Sequence, residues 1–304
     1  MGFRLTSGIP AIGSLTNLRQ LMRRMLSSKF VLGVLNSFGC LGLLSAQALA
    51  ATPQPDLLDT IKQRGVVRIG VSPDLPGMSL RKVGKPGFEG AEASLALLIG
   101  TQLLGKASQV ELVGVDSPQR LALLQKGAID LVIAQLTITP ERQKLVDFSM
   151  PYVVAHEALL LPVNSPIQRL SQLIGKEISV AQGSASQQRY MRAWPGILQR
   201  STNFESGGIE LLRSGLVAAW ANDNTNILGM LSVAPDRNRF RLLNVGACFP
   251  PKPFGIAVRK GNPALLAALN VGLAEQEGKG TLKNLFAALS LPIVKGSTAD
   301  QICK

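Results

Sequence analysis

Two stretches of this 304-residue chain end in polar groups able to hold a small ionic molecule. Leu123 to Ala134 reads as a helix end, a cap at Gly127 and a buried strand, and Gln135 and Thr137 follow it. Leu211 to Asn222 repeats the pattern around Gly215, with Asp223 and Asn224 next. Ligands of open α/β sheets bind at the carboxyl ends of the strands. Two such ends facing each other would form a cleft that offers an amide, a hydroxyl and a carboxylate.

The same residues supply little for catalysis. No Gly-x-Ser-x-Gly elbow, phosphate loop or metal-ligand set is present in the sequence. General acid–base work would fall to Asp223, Glu92 or Asp74, and the single histidine, His156, has no evident partner. No metal and no cofactor are expected, because one histidine and two dispersed cysteines cannot make a zinc shell.

The elements that must position these groups alternate between helix and strand. Asp56 is suited to cap a helix running through Arg64, which Gly65 stops, and Val66 to Val71 follows as a strand ending in the turn-rich Ser72 to Gly77. Glu92 to Leu104 is an apolar-faced helix, Val110 to Val115 a strand, Pro118 to Gln125 a helix and Ile129 to Ala134 a third strand. The alternation predicts an α/β protein with open, mostly parallel sheets covered by helices on both faces. The length suits two lobes, one of residues 57–152 plus 253–304 and one of 157–250, joined by hinge strands near 152–157 and 250–254.

Residues 1–50 have no acidic side chain, carry Arg4, Arg19, Arg23, Arg24 and Lys29, and continue into an apolar run from Phe30 to Ala48-Leu49-Ala50. This is an export signal with cleavage expected after Ala50, leaving 51–56 as a linker and a periplasmic mature chain. An uncleaved anchor or a lipoprotein attached at Cys40 would use the same segment. Asn36, Ser37, Ser45 and Gln47 interrupt the run, and apolar sequence continues past Cys40, which disfavours both. Of the formal charge of +13, the five basic residues of the signal account for five, so the mature chain carries +8. The basic residues are scattered, with only two Trp and two Tyr for stacking, so no nucleic-acid partner is expected. Cys248 and Cys303 remain after cleavage, and an oxidising compartment favours a disulfide between them over two free thiols.

At Thr137-Ile138-Thr139-Pro140-Glu141-Arg142, with Val146-Asp147-Phe148-Ser149 close behind, the chain resembles the periplasmic polar-amino-acid-binding proteins of ABC importers, solute-binding protein family 3. Arg68 to Val71, Leu123 to Ala134, Val180 to Ser184 and Phe254 to Gly261 extend the match across residues 57 to about 292. The resemblance implies the two-lobed Venus-flytrap fold, a non-enzymatic monomer, and two partners: a free amino acid and the membrane subunits of an ABC transporter. By the same resemblance Arg142 clamps the ligand α-carboxylate, a task suited to the planar guanidinium fork. Thr137 supplies a supporting hydroxyl. Gln135 replaces a glycine whose carbonyl accepts from the ammonium, and its side chain could narrow the cleft or reach the ligand. Asp223 pairs with the α-ammonium, so a bound zwitterion draws the lobes together. The turn at Gly183-Ser184-Ala185-Ser186 would add N–H groups and the Ser184 hydroxyl for the carboxylate, or serve simply as a helix cap.

For the ligand side chain, Val115 to Arg120 resembles the segment that presents a serine and an arginine to a distal carboxylate, which makes Ser117 and Arg120 the candidates. Leu75 and Met78 stand where aromatics often cover the ligand and offer apolar contact only. Ala181 replaces a lysine used by one glutamine-binding member. Glutamate or aspartate is therefore expected first, then glutamine or asparagine. The rival readings are a periplasmic enzyme on the same scaffold, such as a cyclohexadienyl dehydratase, and a sensing protein that docks on a membrane receptor.

Overall fold

The computed structural model describes residues 56–289 apart from 82 and 85, together with 299–304. The export signal, Cys40 and linker residues 51–55 lie outside the described residues.

Helix α1 (Leu57–Arg64) begins and ends where its caps dictate. Asp56 accepts from Leu58 N at 2.9 Å, and Gly65 closes the helix in the left-handed region at φ 72°. The Asp56 carboxylate also accepts from Ala264 N at 2.9 Å, so one side chain caps two helix starts and ties the two segments of the first lobe. The chain continues through β1 (Val67–Val71), a small antiparallel sheet of β2 (Asp74–Leu75), β3 (Ser79–Arg81) and β4 (Phe88–Glu89), α2 (Ala91–Leu104), β5 (Val110–Gly114), α3 (Arg120–Gln125), β6 (Leu131–Val132), α4 (Pro140–Gln143) and β7 (Val146–Ala155). The expected strand at Ile129–Ala134 is shorter as a ladder. Asp130 N to Arg68 O at 2.8 Å and Ile133 N to Gly70 O at 2.9 Å continue its attachment on both sides.

After His156 the chain enters the second lobe: β8 (Glu157–Pro162), β9 (Glu177–Ala181), α5 (Ala185–Ala193), β10 (Leu198–Thr202), α6 (Glu205–Arg213), β11 (Ala219–Asp223), α7 (Asn224–Val233) and β12 (Phe240–Asn244). It returns through β13 (Lys252–Arg259) to α8 (Pro263–Gly278) and α9 (Thr281–Phe286). The two five-stranded sheets have orders β5-β1-β6-β13-β7 and β10-β9-β11-β8-β12. In each, four strands run one way and one is reversed. The reversed strand is the one that has just crossed from the other lobe: β8 on entry, β13 on return. Lys252, Pro253 and Phe254 pair with Ala155, Val154 and Val153, so the connection is a two-stranded antiparallel ladder.

The central strand β11 is buried along its whole length, whereas every residue of β10 at the sheet edge is half-buried or exposed. The apolar core is continuous between lobes. Leu75, Met78, Tyr152 and Leu289 pack in one cluster with Ile209, Trp220, Ile227 and Met230. Each fully buried Leu or Ile in it contributes about 1.5–3 kcal/mol.

The far end of the chain departs from the expected lobe assignment. Helix α10 (Ala299–Cys303) lies on the second lobe, not the first. Cys303 is disulfide-bonded to Cys248 with a Cα–Cα separation of 5.5 Å, and Lys304 O accepts from Ser171 Oγ at 2.6 Å. Ile302 packs against the second-lobe core cluster that contains Tyr190 and Phe249. Among the described residues, no helix is long and apolar enough to cross a membrane.

Candidate functional site

Thr139 caps the short helix α4 by accepting from Arg142 N at 3.3 Å, and Pro140 presets its first turn. This turn aims Arg142 at the seam between lobes. Its Nη1 donates to Thr137 O at 2.8 Å in its own lobe, and its Nη2 donates to Gly183 O at 3.0 Å in the other. Burial lowers the guanidinium to about 9, with Arg120 pushing the same way and Asp223 opposing, so it stays charged at neutral pH. Gly183 occupies the left-handed region at φ 72°, and a Cβ there would stand 3.4 Å from Pro118 Cα across the seam. Ser184 caps α5 by accepting from Gln187 N at 3.1 Å. The cap uses a lone pair and leaves the Ser184 proton to donate. Ala185 opens the helix, where N–H groups lack intrahelical partners. Thr137 is 2% exposed, and a single bridge joins it to Phe254 of the hinge ladder.

Asp223 ends β11 on the facing side and is 8% exposed. Its Oδ1 lies 2.7 Å from Lys252 Nζ, an ion contact without hydrogen-bond alignment. The same ammonium lies 2.5 Å from Glu157 Oε2 and donates to Ser186 Oγ at 2.6 Å. Burial raises the Glu157 carboxyl, Lys252 pulls it down and Asp223 pushes it up. Lys252 and Glu157 flank the two chain crossings, and neither was singled out in the sequence. Residues 157, 186, 223 and 252 share no spacing that would have linked them.

A second polar group gathers around Ser117 and Arg120. Ser117 Oγ donates to Glu205 Oε1 at 3.2 Å across the seam, and Asn222 Nδ2 donates to Glu205 Oε2 at 2.6 Å. Asp74 Oδ2 accepts from Ser206 N at 2.8 Å, a further link between lobes. Burial raises Glu205 to about 7, with the Asn222 bond opposing and Asp74 and Asp223 reinforcing. Arg120 is 3% exposed and donates through Nη1 to Ala134 O. Burial lowers its pKa, and the nearby carboxyls of Glu205, Glu92 and Asp223 oppose that fall. The expected distal arginine is therefore matched by an acid that the sequence reading missed.

Expectations at three residues are corrected. The Gln135 side chain does not narrow the cleft. Its backbone is in the left-handed region at φ 46°, its Oε1 accepts from Ser72 Oγ at 2.8 Å, and its Nε2 donates to Glu92 Oε2. Glu92 also accepts from Gln135 N at 2.8 Å and Tyr152 O–H at 2.5 Å, which turns the whole group into the first lobe. Leu75 and Met78 do not line an open cleft either. Both are 0% exposed, because their apolar side chains are taken up by the core cluster shared with Ile209, Trp220, Ile227 and Met230 of the second lobe. The site is thus a closed seam with three buried cations, Arg120, Arg142 and Lys252, facing Asp223, Glu157 and Glu205. Cations and carboxyls stand side by side along it, an arrangement suited to a small molecule that carries both signs.

Two α/β lobes on a two-stranded hinge, closing over buried charges of both signs, define a hinged solute-binding protein. Residues 67–288 match the family described as bacterial extracellular solute-binding proteins, family 3, and the chain belongs to that family. The Bacillus subtilis ABC transporter glutamine-binding protein is 30% identical over 232 residues, covering 76% of this chain and 83% of that protein. The Escherichia coli L-cystine-binding protein is 30% identical over 246 residues, covering 80% and 89%. Among solved structures, the Neisseria gonorrhoeae solute receptor for L-cysteine superposes with a TM-score of 0.70 at 28% identity, over 78% of this chain and 95% of that one.

Proposed function

We propose that this protein captures a free polar amino acid in the seam, outside the cytoplasm, and delivers it to the membrane subunits of an ABC importer without transforming it. The observation that carries this reading is Arg142, whose fork donates to Thr137 O in one lobe and Gly183 O in the other while Asp223 acts on it from the facing side. A ligand carboxylate would bind the remaining guanidinium face and the α5 terminus at Ala185, with its ammonium near Asp223.

The Arg120–Glu205 pair supports an amide side chain, glutamine or asparagine, ahead of the glutamate or aspartate expected from sequence. An amide accepts from Arg120 and donates to Glu205, whereas an anion answers only half of the pair. The similar glutamine-binding protein of Bacillus subtilis agrees with this order. A thermal-shift screen of the twenty amino acids tests it, since ligand at a hundred times its Kd stabilises by about 2.7 kcal/mol. Glutamine or asparagine should give the largest shift; a response confined to lysine and arginine overturns the assignment.

Glu205 favours one second reading. A buried carboxyl held at about 7 and bonded to Asn222 and Ser117 is suited to general acid work, which an elimination such as dehydration of prephenate or arogenate requires. Product formation from either compound by the purified protein would establish that reading, and its absence would reject it.

A further inference from the structure

Lys252 sits in the hinge ladder, paired with Ala155, yet its ammonium reaches Glu157, Ser186 and Asp223 of the second lobe. Its ammonium lies 2.5 Å from Glu157 Oε2, 2.6 Å from Ser186 Oγ and 2.7 Å from Asp223 Oδ1, and its side chain is 1% exposed. Arg189 Nη1 stands 4.0 Å from the same Glu157 oxygen, so Glu157 keeps a second cation in reach. The carboxylate that the proposed function assigns to the ligand ammonium therefore already has a cation supplied by the chain.

We propose that Lys252 determines specificity: it frees the seam from a strict need for an α-ammonium and extends its ligands to carboxylates with a hydroxyl or oxo group on the α-carbon. This rests on the binding reading above. A buried carboxylate without a partner is strongly disfavoured. In a site whose only cation came from the ligand, an analogue lacking the ammonium would leave Asp223 unpaired, and polar groups left unpaired in this way reject analogues by about 10⁴–10⁵-fold. With Lys252 on Asp223, such an analogue strands no charge. It forfeits one charge-assisted hydrogen bond, about a 10–100-fold loss, and its α-oxygen can accept from Lys252. Amino acids still fit, because two carboxylates share one lysine and the Asp223 side chain keeps 11% of its surface exposed.

The experiment is titration calorimetry of the intact protein with L-glutamine, L-glutamate and the other amino acids, each beside the 2-oxo and 2-hydroxy acids of the same side chain. The parent should bind an analogue of its best amino acid within about 100-fold of that amino acid. The double variant Lys252→Met with Glu157→Gln removes the ammonium and its extra carboxylate together, leaves Asp223 alone, and should widen the gap at least 100-fold. Lys252→Arg, which keeps the charge, should retain the parent ratio and serves if the double variant does not fold. Amino-acid binding with every analogue rejected beyond about 10⁴-fold overturns this inference and leaves the proposed function standing. Binding of analogues alone supports the inference and overturns the amino-acid reading, and binding of neither overturns both.

Discussion

Glu92 offers a quantitative test of how the first lobe is built. It is fully buried, and burial lifts its carboxyl from the ordinary 4.5 to about 7 despite hydrogen bonds from Tyr152 and Gln135. Between those values the native state holds a proton that the unfolded chain has released. The associated stability is full below about pH 4.5 and is lost as pH rises through 7. A shift of this size is worth about 3 kcal/mol, changing by about 1.4 kcal/mol per pH unit within the window. Glu92→Gln removes the ionisation. Its amide oxygen still accepts from Tyr152 and Gln135 N, and its NH₂ finds an acceptor when the Gln135 amide turns over. Urea unfolding of parent and variant at pH 5, 6, 7 and 8 reads the difference. The variant should gain on the parent steadily from pH 5 to 7 and finish about 2–3 kcal/mol ahead in relative terms. Glu205, also raised to about 7, leaves the parent with residual slope in the same range, so the difference curve and not the parent curve isolates Glu92. Parallel profiles would refute the account.

Two further outcomes follow from the seam. Arg142→Lys substitutes a point charge for the fork that joins Thr137 O and Gly183 O, and should weaken amino-acid binding by about 10²–10⁴-fold in calorimetry while moving Tm little. Gly229→Ala would put a Cβ 2.1 Å from Pro76 O, a backbone atom of the facing lobe. It should hold the lobes apart, seen as a larger radius of gyration in solution scattering with saturating amino acid, and cost at least tenfold in affinity; an unchanged radius would show that the two surfaces do not meet.

Much of the frame is written locally. Asp56 and Gly65 delimit α1, and the paired units around Gly127 and Gly215 both cap in the left-handed region, at φ 72° and 68°, ahead of strands that end in polar residues. Such signals depend on neighbours in the chain, on steric limits at one residue and on the period of apolar side chains, so they are visible without a structure. Arg142, Asp223 and Arg120 were marked out differently, by the resemblance of the segments that carry them to the solute-binding family.

What those residues meet is a tertiary matter. Lys252 reaches Ser186, 66 positions away, only because the hinge ladder sets it against the second lobe. Glu205 faces Ser117 because the lobes close, Gln135 turns inward because Glu92 and Ser72 wait there, and the disulfide carries the last helix back across to the second lobe. No spacing in the chain encodes these meetings, since buried charges choose partners by proximity after folding and by the cost of remaining unpaired. The sequence by itself determined an alternating α/β frame and, through a family resemblance, pointed to Arg142, Asp223 and Arg120; the packed structure alone decided that Lys252, Glu157 and Glu205 meet them.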